Sequence, residues 1–244
     1  MRRIVLWLCM MTVGVMLGAA EVGAVTGANS PGLLTEGDYF MGLEAYSVKD
    51  RQIAEVSRNT KTSFGSNQYF FLLSYGILDY LMIESRFGVA ELNLKEDPFN
   101  FGYGFAWGLS ARAIMFERPH MDLKVGVGLD YVDYSPRNIQ IVNQDVKPEA
   151  LEWQFSADVS KGFGRFTLFS GVRYSEIEIK IKDFVPEEDL TLETEFETDL
   201  KYKQQKELGL VIGGQYELRE DLSVTAEAQL FDGETFMLKL TYRY

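Results

Sequence analysis

The sequence predicts an all-β protein: a closed, antiparallel, up-and-down transmembrane β-barrel of about ten strands, with eight strands as the alternative. Three observations support this prediction. Apolar and polar residues alternate over segments longer than most soluble strands, short connections alternate with long ones, and the chain ends in the alternating stretch FMLKLTYRY. The 13 Tyr, 17 Phe and 22 Gly residues also favour β-structure, since no helical periodicity accompanies them.

The N-terminal stretch MRRIVLWLCMMTVGVMLGAA has the order of a secretory signal: two arginines, an apolar run and then small residues. We predict a cleaved signal peptide over residues 1–24, a lead-in over 25–36 and the barrel over 37–244. A membrane anchor is the alternative for the first segment. The only cysteine, Cys9, lies in the predicted signal, so the mature barrel would have no disulfide framework.

Strands follow from the period-two pattern, in which successive side chains point to opposite faces. The clearest example is FNFGYGFAWGLSARAIM, where bulky residues alternate mainly with small or polar ones. The ten predicted strands are 37–48, 66–76, 79–92, 99–116, 120–133, 148–161, 165–181, 202–217, 221–231 and 235–244. The longer connections fall at 49–65, 93–98, 134–147 and 182–201, and both termini are expected on the periplasmic side.

The two faces of these strands differ in polarity, as a bilayer requires of a closed sheet. We predict that the apolar face contacts lipid and that charges on the other face pair within a narrow lumen. The predicted lumen residues are Glu84, Arg86, Arg112, Asp122, Lys124, Asp130, Asp158, Arg173 and Glu227, and Lys239 and Arg243 fall on the same face.

Aromatic residues on the apolar face form two predicted girdles at the levels of the lipid headgroups. The periplasmic girdle contains Tyr39, Tyr75, Phe166, Tyr216, Tyr242 and Tyr244. The extracellular girdle contains Tyr69, Phe101, Tyr103, Tyr131, Trp153, Tyr174 and Phe236. The competing interpretation is a secreted soluble barrel of lipocalin type, with its apolar face turned inward around a ligand. That alternative explains the alternation but not the girdles or the strand lengths.

Two short motifs resemble a known family. The final LTYRY, with Leu240, Tyr242 and Tyr244, and the turn YGILDYL, with Tyr75 and Asp79, are similar to the small outer-membrane β-barrel proteins of OmpA and opacity-protein type. The resemblance covers about residues 37–244 and implies that the closing aromatic strand is the signal read by the barrel-assembly machinery. The better-known members have eight strands, so the predicted ten depart from them.

Little in the sequence indicates catalysis or cofactor binding. His120, the only histidine, falls in a predicted periplasmic turn, away from the outer rim where barrel hydrolases act. With no second histidine and no cysteine in the mature chain, a zinc site lacks ligands. We predict no cofactor and no metal. The net charge of −12 argues against a nucleic-acid partner.

One segment is densely acidic, DFVPEEDLTLETEFETD. We interpret it as a solvated, self-repelling hairpin above the membrane. The alternative is a site for divalent cations that bridge to lipopolysaccharide phosphates.

These observations predict an integral protein of the bacterial outer membrane, exported by its signal peptide, monomeric and non-enzymatic. Its expected partners are outer-membrane lipid, lipopolysaccharide, the barrel-assembly machinery and an unknown extracellular ligand bound by the long loops. The alternative function is a narrow, porin-like passive channel for ions or small solutes.

Overall fold

The computed structural model describes residues 36–56, 61–95, 100–141, 144–182, 200–204, 208–230 and 233–244. The predicted signal peptide, the lead-in up to residue 35 and the acidic segment 183–199 lie outside these ranges. The strands are β1 (Tyr39–Glu55), β2 (Lys61–Leu78), β3 (Leu81–Leu94), β4 (Asn100–Arg118), β5 (Leu123–Ser135), β6 (Ile139–Ile141), β7 (Gln144–Phe163), β8 (Phe166–Lys182), β9 (Leu200–Gln204), β10 (Leu208–Arg219), β11 (Leu222–Leu230) and β12 (Glu234–Arg243).

Antiparallel pairing between neighbouring strands closes the sheet into a barrel. The last strand, β12, pairs with β1, from Phe40 opposite Arg243 to Lys49 opposite Glu234. Strands β9 and β10 follow one another along β8 and together form one wall strand, while β6 adds only a short hairpin to β7. The wall therefore has ten strands, which confirms the predicted fold and excludes the eight-strand alternative.

The structure is β-rich throughout its described part, and a single 3₁₀ turn, η1 (Pro119–Met121), interrupts the strands. Within the described ranges, no helix is long and apolar enough to cross a bilayer. The strands are long, reaching 19 residues in β4 and 20 in β7. Tight reversals join them at the end that holds the termini, as at the β7–β8 turn, where Gly164 has a φ of +65°. We call this end of the barrel the turn end and the opposite end the loop end.

The outward face carries an apolar band between two rings of aromatic side chains. At the turn end, the rings of Tyr39 and Tyr75 are 4.9 Å apart. At the loop end, those of Tyr131 and Trp153 are 4.6 Å apart. On β8 the band runs from Phe166 to Tyr174, about 26 Å along the strand. This pattern is that of a barrel that spans a bilayer.

One predicted girdle residue, Phe101, does not face lipid. It is fully buried inside the barrel, because the β3–β4 register shifts between Ala90, opposite Gly104, and Leu92, opposite Phe101. Strand β4 thus contains one extra residue at this point, which reverses the alternation beyond it.

Above the loop-end girdle, the polarity of the two faces is reversed. On β8 the inward residues change from Arg173 to Ile177, Ile179 and Ile181, all fully buried. The outward residues Glu176, Glu178, Lys180 and Lys182 are charged and half-buried or exposed. A charged outer face is incompatible with hydrocarbon, so this part of the barrel projects beyond the bilayer and has an apolar core.

The loop-end core consists of inward residues of β1–β5 and β7–β9. It includes Val48, Ile53, Phe64, Leu92, Leu94, Phe101, Tyr134, Val146, Ala150, Ile177, Ile179, Ile181, Leu200 and Tyr202. From Ser175 to Lys182, β8 extends eight residues above the girdle, about 26 Å along the strand. The projecting wall is therefore as long as the part within the apolar band.

Candidate functional site

The most chemically dense region of the described residues is a layer of charged side chains inside the membrane-spanning part of the barrel, which we call the charged layer. It lies between two apolar layers. The loop-end core covers it above, and Met82, packed against Phe40 and Ile114, lies below it at the turn end. Inward side chains of several strands meet here because the alternation places every second residue in the lumen.

The first group in the charged layer is centred on Glu84. Lys239 Nζ lies 2.6 Å from Glu84 Oε2, and the Ser74 hydroxyl donates to the same oxygen at 2.8 Å. Arg86 Nε is 3.4 Å from the other carboxylate oxygen. Two cations and a hydroxyl therefore compensate one buried carboxylate.

The second group is centred on Asp130. Arg86 Nη2 lies 2.5 Å from Asp130 Oδ1, and the Ser110 hydroxyl donates to that oxygen at 2.7 Å. Arg86 also lies 3.6 Å from Glu44, so a single guanidinium joins carboxylates of β1, β3 and β5.

Two further arginines extend the charged layer. Arg173 Nη2 is 2.7 Å from Glu227 Oε1, and its Nη1 donates to Gln229 at 3.0 Å. Arg112 lies in the electrostatic field of four carboxylates. These carboxylates are Asp130, Glu84, Glu227 and Asp158.

A further buried pair lies where the charged layer meets the loop-end core. Arg51 Nη1 forms an ion pair with Glu152, and both side chains are almost completely buried. Gln154 donates to the same Glu152 oxygen at 2.7 Å. This pair connects β1 to β7 across the interior.

Glycines leave the lumen wide enough for these side chains, and Gly126 and Gly128 are two examples. A Cβ on Gly128 would lie 2.6 Å from the Ser156 hydroxyl and 3.7 Å from Arg112 Cγ. A Cβ on Gly126 would lie 3.4 Å from both carboxylate oxygens of Asp158.

The space left in the charged layer is small. One cavity of about 30 Å³ lies among Glu44, Arg112, Glu152 and Arg173, and a second of about 20 Å³ lies beside Ser156 and Asp158. One ordered water needs about 10–15 Å³ on this measure. These cavities therefore have room for a few water molecules but not for a hydrated solute.

The structure brings together seven of the nine predicted lumen residues. Glu84, Arg86, Arg112, Asp130, Asp158, Arg173 and Glu227 lie in the charged layer. Lys124 points inward but lies near the turn end, with Nζ 3.4 Å from Glu117.

Asp122 is a correction to the prediction. It follows η1 with a φ of +48°, outside any strand, so the alternation that assigned it to the lumen does not apply there. Burial against the turn raises the pKa of Asp122 above its ordinary value.

The charged interior residues that the sequence analysis missed include Glu44, Arg51 and Glu152. Glu44 and Glu152 follow the inward alternation of their strands, so the signal for them was present. Arg51 could not be assigned from the alternation, because β1 has a register irregularity between Val48 and Arg51. No pattern in the sequence predicts this irregularity.

The other candidate residues lie at the turn end. His120 is exposed within η1. The described residues contain no group of three or more His, Cys, Asp or Glu side chains that could hold a metal ion. Leu240, Tyr242 and Tyr244 face outward at the closing strand, and the Tyr244 backbone N–H donates to the Tyr39 carbonyl at 3.0 Å.

Comparisons with known proteins return barrels at low identity. No protein-family model matches the chain, and no curated protein matches it. Among solved structures, the chain is similar to OprG of Pseudomonas aeruginosa (12% identity, 86% of this chain and 97% of that one, TM-score 0.44). It is also similar to Ail, the attachment invasion locus protein of Yersinia pestis, in complex with the heparin analogue sucrose octasulfate (12% identity, 86% of this chain and 100% of that one, TM-score 0.41).

A third similar structure is the outer membrane protease OmpT of Escherichia coli (9% identity, 85% of this chain and 96% of that one, TM-score 0.40). A shared barrel fold does not by itself assign an activity.

Proposed function

We propose that this protein is a monomeric, non-enzymatic β-barrel of the outer membrane of a Gram-negative bacterium, and that it acts through its extracellular part. The observation that carries this proposal is the reversal of polarity above Tyr174, where the lumen becomes an apolar core and the outer surface becomes charged. The barrel is then an anchor that holds a rigid, water-exposed β-structure above the membrane.

The location rests on the closed sheet and its surface. A barrel leaves no unpaired strand edge in the bilayer. The apolar band between two aromatic rings matches the outer-membrane type of barrel. The basic, apolar and small-residue order of residues 1–24 supports export. In this orientation the turn end faces the periplasm and the loop end faces the outside.

The layering inside the barrel argues against the alternative function, a passive channel. A conducting path must cross Phe40, Met82 and Ile114, then the paired charges, and then the loop-end core. Mixed charges at contact distance neutralise one another and fill the lumen, whereas a porin keeps a water-filled channel.

A sealed barrel favours surface binding over transport. The projecting wall exposes charges of both signs in ordered pairs, such as Lys201 Nζ 2.7 Å from Glu178 Oε1 and Lys182 Nζ 2.7 Å from Glu149 Oε1. Burial by itself raises the pKa of Glu178, but Lys201 and Lys180 reverse this and hold it below its ordinary value. We infer that an extracellular ligand is bound at this end.

The remaining partners follow from the surface and the closing strand. Outer-membrane lipid and lipopolysaccharide surround the apolar band. The outward Leu240, Tyr242 and Tyr244 form the segment that we propose the barrel-assembly machinery reads, as the resemblance to OmpA- and opacity-type barrels implies. The non-enzymatic assignment is supported by His120, which lies at the turn end and far from the loop-end surface.

Planar-bilayer conductance of the mature chain, refolded from denaturant, tests this proposal. A gel shift between unheated and boiled samples first establishes that the protein is folded. We expect folded protein with no conductance steps, because both apolar layers seal the lumen. Stable open steps from folded protein would contradict the proposal and favour the channel.

A further inference from the structure

The lipid-facing surface is not uniformly convex. On the outward side of β1–β5 and β7 there is a groove of about 1190 Å³, lined almost entirely by apolar side chains. We call it the lipid-face groove. An ordinary barrel exterior is convex, so a concavity of this size requires an explanation in the sequence.

Two cross-strand rows of outward residues define the course of the groove. One row joins Met41, Leu73, Ser85, Leu109, Tyr131 and Trp153 in register. The other joins Tyr39, Tyr75, Ile83, Ala111 and Leu129. Because the strands are tilted, these rows climb from the turn end towards the loop end. The first row crosses five strand spacings, about 24 Å, and the second crosses four, about 19 Å.

Small residues in the middle of the rows form the floor. Ser85 and Ala111 lie between Leu73 and Ile83 on one side and Leu109 and Leu129 on the other. The Ser85 hydroxyl donates to the Leu73 carbonyl at 3.3 Å, so this lipid-facing hydroxyl has an internal partner.

The shape of the groove favours a slender occupant over a second copy of the chain. A symmetric dimer would place the same patch on both subunits. Two facing grooves would then enclose a void, which a packed interface does not tolerate. A single hydrocarbon chain fits an apolar channel at this depth in the bilayer.

Charge at the two ends of the groove indicates which leaflet supplies that chain. At the loop end, Trp107 lies opposite Asp133 and Trp153 lies opposite Glu176, so an anionic headgroup would meet two carboxylates. At the turn end, the side chains that border the groove are those of Tyr39, Tyr75 and Tyr244, which are uncharged. Their hydroxyls can donate hydrogen bonds to a phosphate, so the turn end suits an anionic headgroup better than the loop end does.

We propose that the lipid-face groove binds one acyl chain of an inner-leaflet phospholipid, with its headgroup at Tyr39 and Tyr75 and its chain end at Leu129. This site is independent of whether the lumen conducts. If so, one lipid molecule stays bound to one face of the barrel.

Photo-crosslinking of the folded, mature chain in dioleoylphosphatidylcholine vesicles tests the proposal. The probes are two phosphatidylcholines, one with a diazirine near the acyl carbonyl and one with a diazirine at the chain end. We expect both to label the lipid-face groove severalfold more than outward residues of β8 and β10, such as Val172 and Ile212. The first probe should label near Tyr75, and the second near Leu129.

The variant Ala111→Trp fills the floor and should lower labelling of the groove severalfold. Ala157→Trp, an outward alanine of β7 outside the groove, is the matched control and should leave it unchanged. Labelling in proportion to exposure on all faces, or no effect of Ala111→Trp in protein that keeps its gel shift, would overturn the site. A reversed order of the two probes, or stronger labelling by a diazirine-bearing lipid A, would overturn the choice of leaflet.

Discussion

Glu84 on β3 and Lys239 on β12 form an ion pair across the lumen, with 2.6 Å between Oε2 and Nζ, although 155 residues separate them in the chain. The pair joins the last strand of the barrel, β12, to its third strand, β3. It therefore couples closure of the sheet to assembly of the charged layer.

Removing one partner of this pair should strongly destabilise the folded barrel. We expect Lys239→Met to lower the free energy of unfolding by about 3–5 kcal/mol, because Glu84 is left as an undercompensated buried charge. Removing both charges, in Glu84→Gln with Lys239→Met, should recover most of the loss. Urea midpoints in detergent micelles measure both effects.

The matched control is Lys95→Met, which breaks the ion pair with Asp50 on the projecting wall, where both side chains are about half exposed. It should change stability by only about 0–1 kcal/mol. Equal losses for Lys239→Met and Lys95→Met would show that the lumen is solvated rather than packed with paired charges.

Arginine substitutions on the outward face test where the bilayer lies along the barrel. Ile212 lies opposite Ser170, midway between Phe166 and Tyr174 on β8, so we expect Ile212→Arg to cost about 2–4 kcal/mol in a vesicle refolding titration. Glu176→Arg, just above the girdle, should cost far less because that position faces water. Similar costs at both positions would place the bilayer elsewhere on the barrel.

The closing residue is predicted to matter more for assembly in cells than for stability. We expect deletion of Tyr244 to reduce heat-modifiable protein in the outer membrane severalfold. Refolding from urea in detergent should be nearly unchanged, since only one backbone hydrogen bond, to Tyr39, is removed. A loss of refolding in detergent equal to the loss in cells would argue for a structural role instead.

Much of the fold was predictable from the sequence because a barrel wall obeys one rule, alternation. Strand number, antiparallel order and the positions of Glu84, Arg86 and Asp130 follow from that rule together with the turns. Phe101 and Arg51 were not predictable, because each follows a register irregularity that reverses the alternation. The prediction for Asp122 failed for a related reason: the residue lies in a turn, where the alternation of a strand does not apply.

The polarity reversal was present in the sequence but was not interpreted. The stretch SEIEIKIK continues the inward parity of Arg173 through Ser175 to Ile177, Ile179 and Ile181, so the inward face becomes apolar without any break in the strand. A search that assumes one polarity per face overlooks this change. Tyr174, the girdle residue between Val172 and Glu176, marks where it occurs.

The reversal is the central claim, and cysteine labelling tests it most directly. The only native cysteine, Cys9, lies in the predicted signal, so single-cysteine variants can be made in the natural background. Intact cells that produce Val172→Cys, Glu176→Cys or Ile179→Cys are treated with a membrane-impermeant maleimide. We predict rapid labelling of Glu176→Cys only, because Val172 faces lipid and Ile179 lies in a dry core. Rapid labelling of Ile179→Cys would show a water-filled vestibule and contradict the sealed barrel.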